Sequence, residues 1–321
     1  MQNNWIVLNK VGSDAGRVPP RHRLLALVVA VAWGLNFLAI DASLKHFPPF
    51  LLVALRFGLI AIPTLAFVPR PQVPLRWLIG YGLGFGTLQF LFLYWAMNAG
   101  IQPGMASLVL QSSAPFTVLL GSLLGERVSR QRLVGLLVAC AGLGVVGWER
   151  AHTAALGPFL LVLAGGFGWA IGNVSNARAK APNPFHLTLW MSLVPPLPML
   201  ALSLAVEGPH RIATAFSTTA HLGTALLGLA YTVLLGTLLG SGIWSWLMAR
   251  HPAGMVAPFS MLVPTVGLTA SAIVDGERIT ALKVIGAVLV IGGVLGGAAS
   301  CRRPAYSVRG VQRPAGVHQG T

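Results

Sequence analysis

The chain has 321 residues, of which 55% are hydrophobic and only 9% are charged, and its mean hydropathy is +0.74. A soluble domain has about 25% charged residues, so this composition excludes a soluble globular protein. No polar block of domain size interrupts the apolar segments. The sequence therefore predicts an all-α integral membrane protein that crosses the bilayer many times.

The charge and the short motifs narrow the function classes further. The net charge is +15, but Lys and Arg stand in short gaps between apolar segments and form no single basic face, so we expect no nucleic-acid partner. The two cysteines, Cys140 and Cys301, lie far apart, and no metal-ligand spacing accompanies them. Walker A, HExxH and GxSxG motifs are absent from the sequence. We therefore expect a protein that is not an enzyme and that uses no cofactor or metal.

Ten apolar segments approach the length of about 20 residues that a transmembrane helix needs. The first follows Arg21 and Arg23 as a secretory signal would, but it is too long for one and is interpreted as a retained helix. Polar residues form an N-terminal tail at 1–20, and a basic tail covers 301–321. The ten segments cover residues 24–44, 50–68, 76–97, 103–124, 131–148, 157–178, 185–205, 220–247, 253–274 and 281–299.

The distribution of basic residues predicts the orientation of these segments. Of the 22 Lys and Arg residues, 16 lie in the two tails and the loops that follow even-numbered segments. The other loops hold 5, and Arg56 lies inside the second segment. Because cytoplasmic loops are enriched in Lys and Arg, both termini are predicted to lie in the cytoplasm.

The two halves of the chain share features at matching positions. Each half has a proline pair twelve residues apart, a Gly-Glu-Arg triplet between two apolar segments, and a Trp followed closely by an Asn. We therefore predict two repeats, 24–148 and 157–299, and because five helices is an odd number the second repeat is inverted. The matched residues are Pro103 and Pro115 with Pro252 and Pro264, Gly125, Glu126 and Arg127 with Gly276, Glu277 and Arg278, and Trp33 and Asn36 with Trp169 and Asn173.

The Gly-Glu-Arg triplets are interpreted as structural elbows and not as an active site. In an inverted repeat, Glu126 and Glu277 lie on opposite sides of about 30 Å of hydrocarbon and cannot act together. Glycine permits the turn, and the dipole of the helix that follows favours a glutamate at its start. The repetition of the triplet then follows from the repetition of the five-helix unit.

Four stretches resemble the EamA-type family of drug/metabolite transporters. They are WGLNFLAI at 33–40, PPFLLVALRF at 48–57, MASLVLQSSAPF at 105–116 and LGERVS at 124–129. The resemblance extends over roughly residues 24–300. It implies ten helices in two inverted five-helix repeats that enclose a central cavity in the bacterial inner membrane. Further stretches, among them VPLRWLIGYGLG and GIWSWLMAR, are similar to a family member that exports cysteine and O-acetylserine.

The resemblance implies a secondary transporter that exports small amino acids or related metabolites, of the cysteine and O-acetylserine type, by alternating access. Its partners are then a small-molecule substrate and the lipid bilayer, and the oligomeric state is left open. Efflux of drugs, or of other amino acids such as aromatic ones, is an alternative. A non-transporting membrane scaffold or a membrane enzyme is an alternative from another class.

Uncharged polar and aromatic residues inside the apolar segments are the candidates for a cavity lining. Amides and hydroxyls can hold the ammonium and carboxylate groups of an amino acid with a smaller desolvation cost than a fixed charge. Each of these residues can equally hold two helices together. The candidates are Trp33, Asn36, Gln89, Tyr94, Gln111, Ser112, Trp169, Asn173, Tyr231, Trp244 and Ser260.

Arg56 is a further candidate, because a charge inside a span is costly and normally faces a cavity or a partner. It either meets the substrate carboxylate or a polar network near the cytoplasmic half, or it bonds helix carbonyls or the elbow glutamate and so fixes the second helix. The apolar segments supply no buried carboxylate, since Asp41 lies near a helix end and both triplet acids lie in elbows. The sequence therefore slightly favours a facilitator over a proton antiporter.

Overall fold

The computed structural model describes residues 19–126, 128–251 and 253–299. The regular structure of these residues is entirely helical, as predicted, and eight helices are long and apolar enough to cross a membrane. They are α1 (Pro20–Leu44), α2 (Pro49–Phe67), α3 (Leu75–Asn98), α4 (Pro103–Leu123), α5 (Arg130–Thr153), α6 (Gly157–Ala179), α7 (Pro184–Ser217) and α8 (Leu222–Arg250).

Two shorter apolar helices follow these eight. α9 consists of Ala253–Ser260 and Val263–Val274, with a turn at Met261 and Leu262, and α10 covers Ala281–Ala299. The break in α9 has a physical cause, because prolines at 258 and 264 flank it and proline has no backbone N–H to donate.

Most of the predicted segments agree with the observed helices, but α7 is longer than expected. The predicted segment ended at residue 205, whereas helical structure continues to Ser217. A new helical piece begins at Gly208, whose φ of +79° lies in the left-handed region that favours glycine. This piece, Gly208–Ser217, carries its apolar residues on one face, so its average hydropathy is too low for a search by length and hydropathy to find it.

The helices pack in a pattern that involves both halves of the chain. α1 packs against α8 and α9, and α6 packs in the same way against α3 and α4. α5 packs along α10, and α2 packs mainly against the middle part of α7, Pro196–Leu202. The large apolar side chains on the outer surface, such as Leu137 and Val288, are exposed, as a lipid-facing surface requires.

Glycine allows the closest of these contacts. A Cβ atom built on Gly135 of α5 would lie 2.4 Å from the carbonyl oxygen of Gly293 in α10. In the α3–α6 contact, a Cβ on Gly84 would lie 2.5 Å from the backbone nitrogen of Gly172. Small residues at such positions let helix backbones approach closely where no hydrophobic effect drives association.

Four of the described helices contain π-helical or 3₁₀ turns. α3 is π-helical over Gly82–Leu88, α8 over Thr232–Leu239, and α7 over Ser203–Glu207. α4 has a 3₁₀ turn at Leu110–Ser112. Such turns leave carbonyls without their usual partners, and they are frequent at functional sites.

Candidate functional site

A cavity of about 290 Å³ lies where α4, α6, α9 and α10 meet. Thr117, Asn173 and Ser260 are the polar side chains among its described lining residues. Asn173 donates a hydrogen bond from Nδ2 to Oγ1 of Thr117, at 3.1 Å. Two predicted site residues, Asn173 and Ser260, therefore share one cavity although they are far apart in sequence. The remaining lining residues are Ala114, Pro258, Met261, Val294 and Leu295.

A second cavity, of about 310 Å³, adjoins the first and shares Ala114, Thr117 and Val294 with it. It lies towards the α4–α5 loop, between α4, α5 and α10. Glu126 and Arg132 line it, so this second space carries charge while the first is lined by neutral groups. The two neighbouring cavities therefore extend the space lined by described residues from the elbow at Glu126 to the amide of Asn173.

At the other face of the molecule the same two helices, α4 and α9, are in contact. A Cβ atom on Gly104 would lie 2.8 Å from Cα of Leu268, and one on Gly267 would lie 2.5 Å from Oγ of Ser107. The start of α4 and the end of α9 thus touch, whereas the later part of α4 and the earlier part of α9 diverge around the cavity. The end of the α4–α9 pair at Gly104 and Leu268, called the closed face below, is tightly packed, and the two cavities described above lie towards its other end.

Glu277 bridges the closed face. Its carboxylate is 2% exposed and accepts hydrogen bonds from the backbone N–H groups of Gly104, at 3.0 Å, and Met105, at 3.1 Å. Lys283 donates to Oε1 of the same carboxylate at 3.1 Å. The expectation that this glutamate sits at the start of the following helix is therefore corrected. It caps α4, in the other half of the chain, and only its lysine partner belongs to α10.

The residues around the two elbows differ in exposure. Glu126 is exposed and its carboxylate lies beside Gly121, in the wall of the larger cavity. Gly125 and Gly276 have φ values of +90° and +67°, which place both turns in the region that favours glycine. Arg278 is exposed, and its carbonyl accepts a bond from Lys283 at 2.8 Å. Arg127 lies outside the described residues.

Two buried carboxylates, Glu149 and Glu207, lie just beyond the ends of the predicted apolar segments 131–148 and 185–205. Glu207 is 7% exposed and caps α2 by accepting from the N–H groups of Phe50, at 2.7 Å, and Leu51, at 3.1 Å. Glu149 is 8% exposed and accepts from Oγ1 of Thr280 at 2.5 Å. These acids stand at helix ends in the sequence, and other helices cover those ends in the fold.

Arg56 is buried between α2, α3 and α8. Its guanidinium donates to the hydroxyl of Tyr94 at 2.9 Å and to Oγ1 of Thr237 at 3.0 Å, and it lies 4.0 Å from the ring centre of Phe90. Its Nε has no partner among the described atoms. Two predicted residues, Arg56 and Tyr94, therefore meet, but neither lines the two cavities.

Trp33 and Asn36 of α1 face α8. The indole N–H of Trp33 donates to the carbonyl of Gly236 at 2.9 Å, and its ring lies 5.2 Å from that of Trp244. Oδ1 of Asn36 lies close to Gly236 and has no partner among the described atoms. Tyr231 completes this contact by donating to the carbonyl of Ala32 at 3.1 Å. The structure therefore gives Asn36 different neighbours from Asn173.

Gln89, Gln111 and Ser112 are buried, outside the described lining of the two cavities. Oε1 of Gln89 and Oγ of Ser112 lack partners among the described atoms. A buried polar atom without a partner costs free energy, so such atoms indicate places where water or a ligand can bind. Trp169 packs 6.0 Å from the ring of Phe85, within the apolar interior.

The family assignment rests on sequence comparison. The sequence profile of the EamA-like transporter family matches residues 22–148 and again residues 156–296. The chain belongs to the EamA-like transporter family. The resemblance seen in the sequence is thereby confirmed. The cavities described above lie between the helices of a membrane transporter.

Relatives of this transporter carry matching names. A "probable amino-acid metabolite efflux pump" of Salmonella typhimurium is 43% identical over 278 residues, covering 84% of this chain and 92% of that protein. A protein of the same name from Escherichia coli is 41% identical, with the same coverage. A protein of known crystal structure shares the fold, with a TM-score of 0.59 and 21% identity over 88% of this chain and 99% of that one. The Salmonella and Escherichia proteins are named as pumps and not as enzymes, as the sequence predicts.

One repeated motif is not among the features from which the two repeats are predicted. Tyr-x₄-Gly-Thr-Leu occurs at 81–88 and again at 231–238, in the π-helical parts of α3 and α8. Thr87 donates to the carbonyl five residues earlier at 3.2 Å, and Thr237 does the same at 2.9 Å. Each threonine thus satisfies a carbonyl of its own π-helical turn. The spacing of 150 residues between the two copies was available in the sequence.

Charged groups also gather at the closed face of the transporter. Lys45 pairs with Asp41 at 3.0 Å, and this hydrogen bond and the charge of Asp41 raise the pKa of Lys45. Asp275 lies near both, and partial burial followed by the negative charge of Asp41 raises its pKa. Like charges near one carboxyl disfavour its ionised form, so the pKa of Asp275 lies above that of an isolated aspartate.

Proposed function

We propose that this protein exports small amino acids and related metabolites, of the cysteine and O-acetylserine type, from the bacterial cytoplasm by alternating access. The efflux pumps named above are similar over nearly their whole length, which supports an exporter of this substrate class. We place the chain in the inner membrane with both termini in the cytoplasm, on the distribution of its Lys and Arg residues.

We further propose ten transmembrane helices in two inverted repeats. The family profile matches the chain twice, which supports a duplicated unit. The packing of α1 on α8 and α9 and of α6 on α3 and α4 is the relation that a twofold axis in the membrane plane would produce. Each of the two pieces of α9 is shorter than the other spans, and the break between them falls beside the cavity.

The neutral cavity is the single observation that carries the substrate proposal. Its volume of about 290 Å³ is at the lower end of small-molecule sites, so it suits a small amino acid better than a large drug. The amide of Asn173 and the hydroxyls of Thr117 and Ser260 can both donate and accept, which matches a zwitterion. We propose these three residues as the substrate contacts.

A direct flux assay tests this function. Purified protein in liposomes is loaded with labelled cysteine, O-acetylserine, aromatic amino acids or a lipophilic drug, and release is followed with and without a proton gradient. We expect release of the small amino acids that depends on the protein. Release of the drug alone, or of none of the panel, would contradict the proposal.

The Asn173→Ala variant tests the site. Losing one or two hydrogen bonds to the substrate should raise KM about fivefold to tenfold with normal protein abundance. Asn183→Ala is the matched control, because it removes the same amide from the exposed cap of α7, where it accepts from Phe185 and His186. A KM that is unchanged in Asn173→Ala would place the substrate elsewhere.

We propose Asn36 as a further residue that contacts the substrate. Its unpartnered Oδ1 is a free acceptor in the buried contact between α1 and α8, and an ammonium group could occupy it in another state. We expect Asn36→Ala to lower transport without lowering abundance. Collapse of abundance would instead show that Asn36 holds the helices together.

A further inference from the structure

We propose that the two elbow glutamates are alternating latches, each of which closes one face of the transporter by capping the first turn of a helix in the opposite half. Glu277 closes the face at which α4 begins, and Glu126 closes the face at which α9 begins. The proposal rests on the inverted repeat proposed above. It assigns to Gly-Glu-Arg a role in switching between states.

The engaged latch is seen at Glu277. Its carboxylate receives two backbone N–H groups, from Gly104 and Met105, that the first turn of α4 leaves without helical partners. Hydrogen bonds to an ionised acceptor are about twice as strong as neutral ones, and the positive end of the helix dipole adds to them. Lys283 compensates the charge, so the buried carboxylate is fully partnered.

The position of this contact gives it control over one face. The capped turn of α4 contains Gly104, which touches Leu268 of α9, and Ser107 touches Gly267 one turn later. Opening a path between α4 and α9 at this face would have to separate these contacts. The two hydrogen bonds to Glu277 tie the start of α4 to the loop between α9 and α10, so they resist that separation.

The corresponding groups at the other face are present in the sequence. Glu126 and Glu277 are 151 residues apart, and each is followed six residues later by a basic residue, Arg132 or Lys283. Pro103 is followed by Gly104 and Met105, and the same Gly-Met pair stands at 254–255 near the start of α9. The opposite face thus has the carboxylate, the cation and the helix start from which a second latch can form.

The two carboxylates differ in the way that a two-state device requires. Glu277 is 2% exposed and bonded, whereas Glu126 is exposed and lines the larger cavity together with Arg132. In the opposite state we expect Glu126 to accept the first N–H groups of α9 and Glu277 to release those of α4. The two latches then favour opposite states of the transporter. This keeps its two faces from opening together.

Thiol labelling of single-cysteine variants tests this. In a Cys140→Ser, Cys301→Ser background, Ser107→Cys reports on the α4–α9 contact and Ala114→Cys reports on both cavities. A membrane-impermeant maleimide is applied to intact cells and to inverted vesicles. Glu277→Gln should raise labelling of the first reporter from outside about tenfold, since about 1.4 kcal/mol of lost bonding shifts an equilibrium by that factor.

The variant Glu126→Gln should shift the same equilibrium the other way. We expect labelling at position 107 from outside to fall and labelling at position 114 from the cytoplasmic side to rise. Because Glu126 is exposed in the described state, this variant should fold even where Glu277→Gln does not, and it decides the question alone. Labelling that is unchanged, or that moves in the same direction in both variants, would overturn the proposal.

Glu207→Gln is the matched control. It weakens another buried carboxylate cap, on α2, that does not join α4 to α9. We expect no opposite shift of the two reporters in this variant, and such a shift would show that the effect is not specific to the elbows. Labelling needs no transported substrate, so an error in the proposed substrate would not affect the result.

Discussion

Arg56 shows how a charge can be kept inside a membrane helix by neutral partners. Its guanidinium bonds Tyr94 and Thr237 and stacks on Phe90, and it forms no ion pair with any described residue. These contacts join α2 to α3 and α8, so Arg56 holds the three helices together. We propose a structural role for Arg56, in which the hydroxyls of Tyr94 and Thr237 take the place of the expected helix carbonyls or elbow glutamate.

A stability measurement distinguishes the two roles of Arg56. Arg56→Ala removes two hydrogen bonds and leaves a cavity, so we expect it to lower the free energy of unfolding by about 2–4 kcal/mol. Tyr94→Phe should cost about 1 kcal/mol, because it removes one bond and keeps the ring. Thermal unfolding in detergent measures both. An unchanged Tm with a raised KM would instead make Arg56 a substrate contact.

A threonine occupies the matching position in the π-helical turns of α3 and α8, but the two threonines contribute differently to stability. Thr87 bonds only its own turn, at Gly82, among the described contacts, whereas Thr237 bonds its own turn and also accepts from Arg56. We expect Thr87→Val to cost about 1 kcal/mol and Thr237→Val about 2 kcal/mol or more, since a buried charge loses a partner. The two Tm values give the comparison, and equal losses would contradict it.

At the scale of helices, α5 and α10 form a pair through their glycines. A Cβ atom on Gly293 would lie 2.5 Å from the carbonyl of Gly135 and 2.6 Å from the backbone nitrogen of Ala139. Backbone atoms cannot give way as a flexible side chain can, so the helices would have to separate. The contact therefore depends on the absence of a side chain at this position.

Gly293→Ala should accordingly destabilise the pair by about 1–3 kcal/mol. Gly144→Ala is the control on α5, because a Cβ there meets nothing within 4 Å. We expect the control to be neutral or slightly stabilising, as alanine is the better helix former. Tm in detergent measures both variants, and a larger loss in the control would show that helix packing is not the cause.

For the whole molecule, the sequence was sufficient to predict the features that follow from composition and from the spacing of apolar residues, such as the helical membrane class. Hydropathy predicted apolar segments most of which agree with the described helices, whereas the division into two repeats, drawn from the repeated Pro and Gly-Glu-Arg positions, stays a prediction. Contacts between segments that are far apart in the sequence could not be predicted from composition or spacing. The cap of Glu277 on Gly104 spans 173 residues, and the bond of Arg56 to Thr237 spans 181. The burial of Glu207 likewise depends on helices that only the fold brings together.

The inverted arrangement itself can be tested at the two elbows. Leu124 and Ile279 are both exposed, at 49% and 46%, and each stands two residues from its glutamate. In the cysteine-free background, Ile279→Cys should react with an impermeant maleimide in intact cells, and Leu124→Cys only in inverted vesicles. Labelling in detergent, where both thiols are accessible, gives the reference. If both react from the same side, the two halves are parallel. The duplicated triplet would then mark two loops on one face, and the latches proposed for opposite faces could not exist.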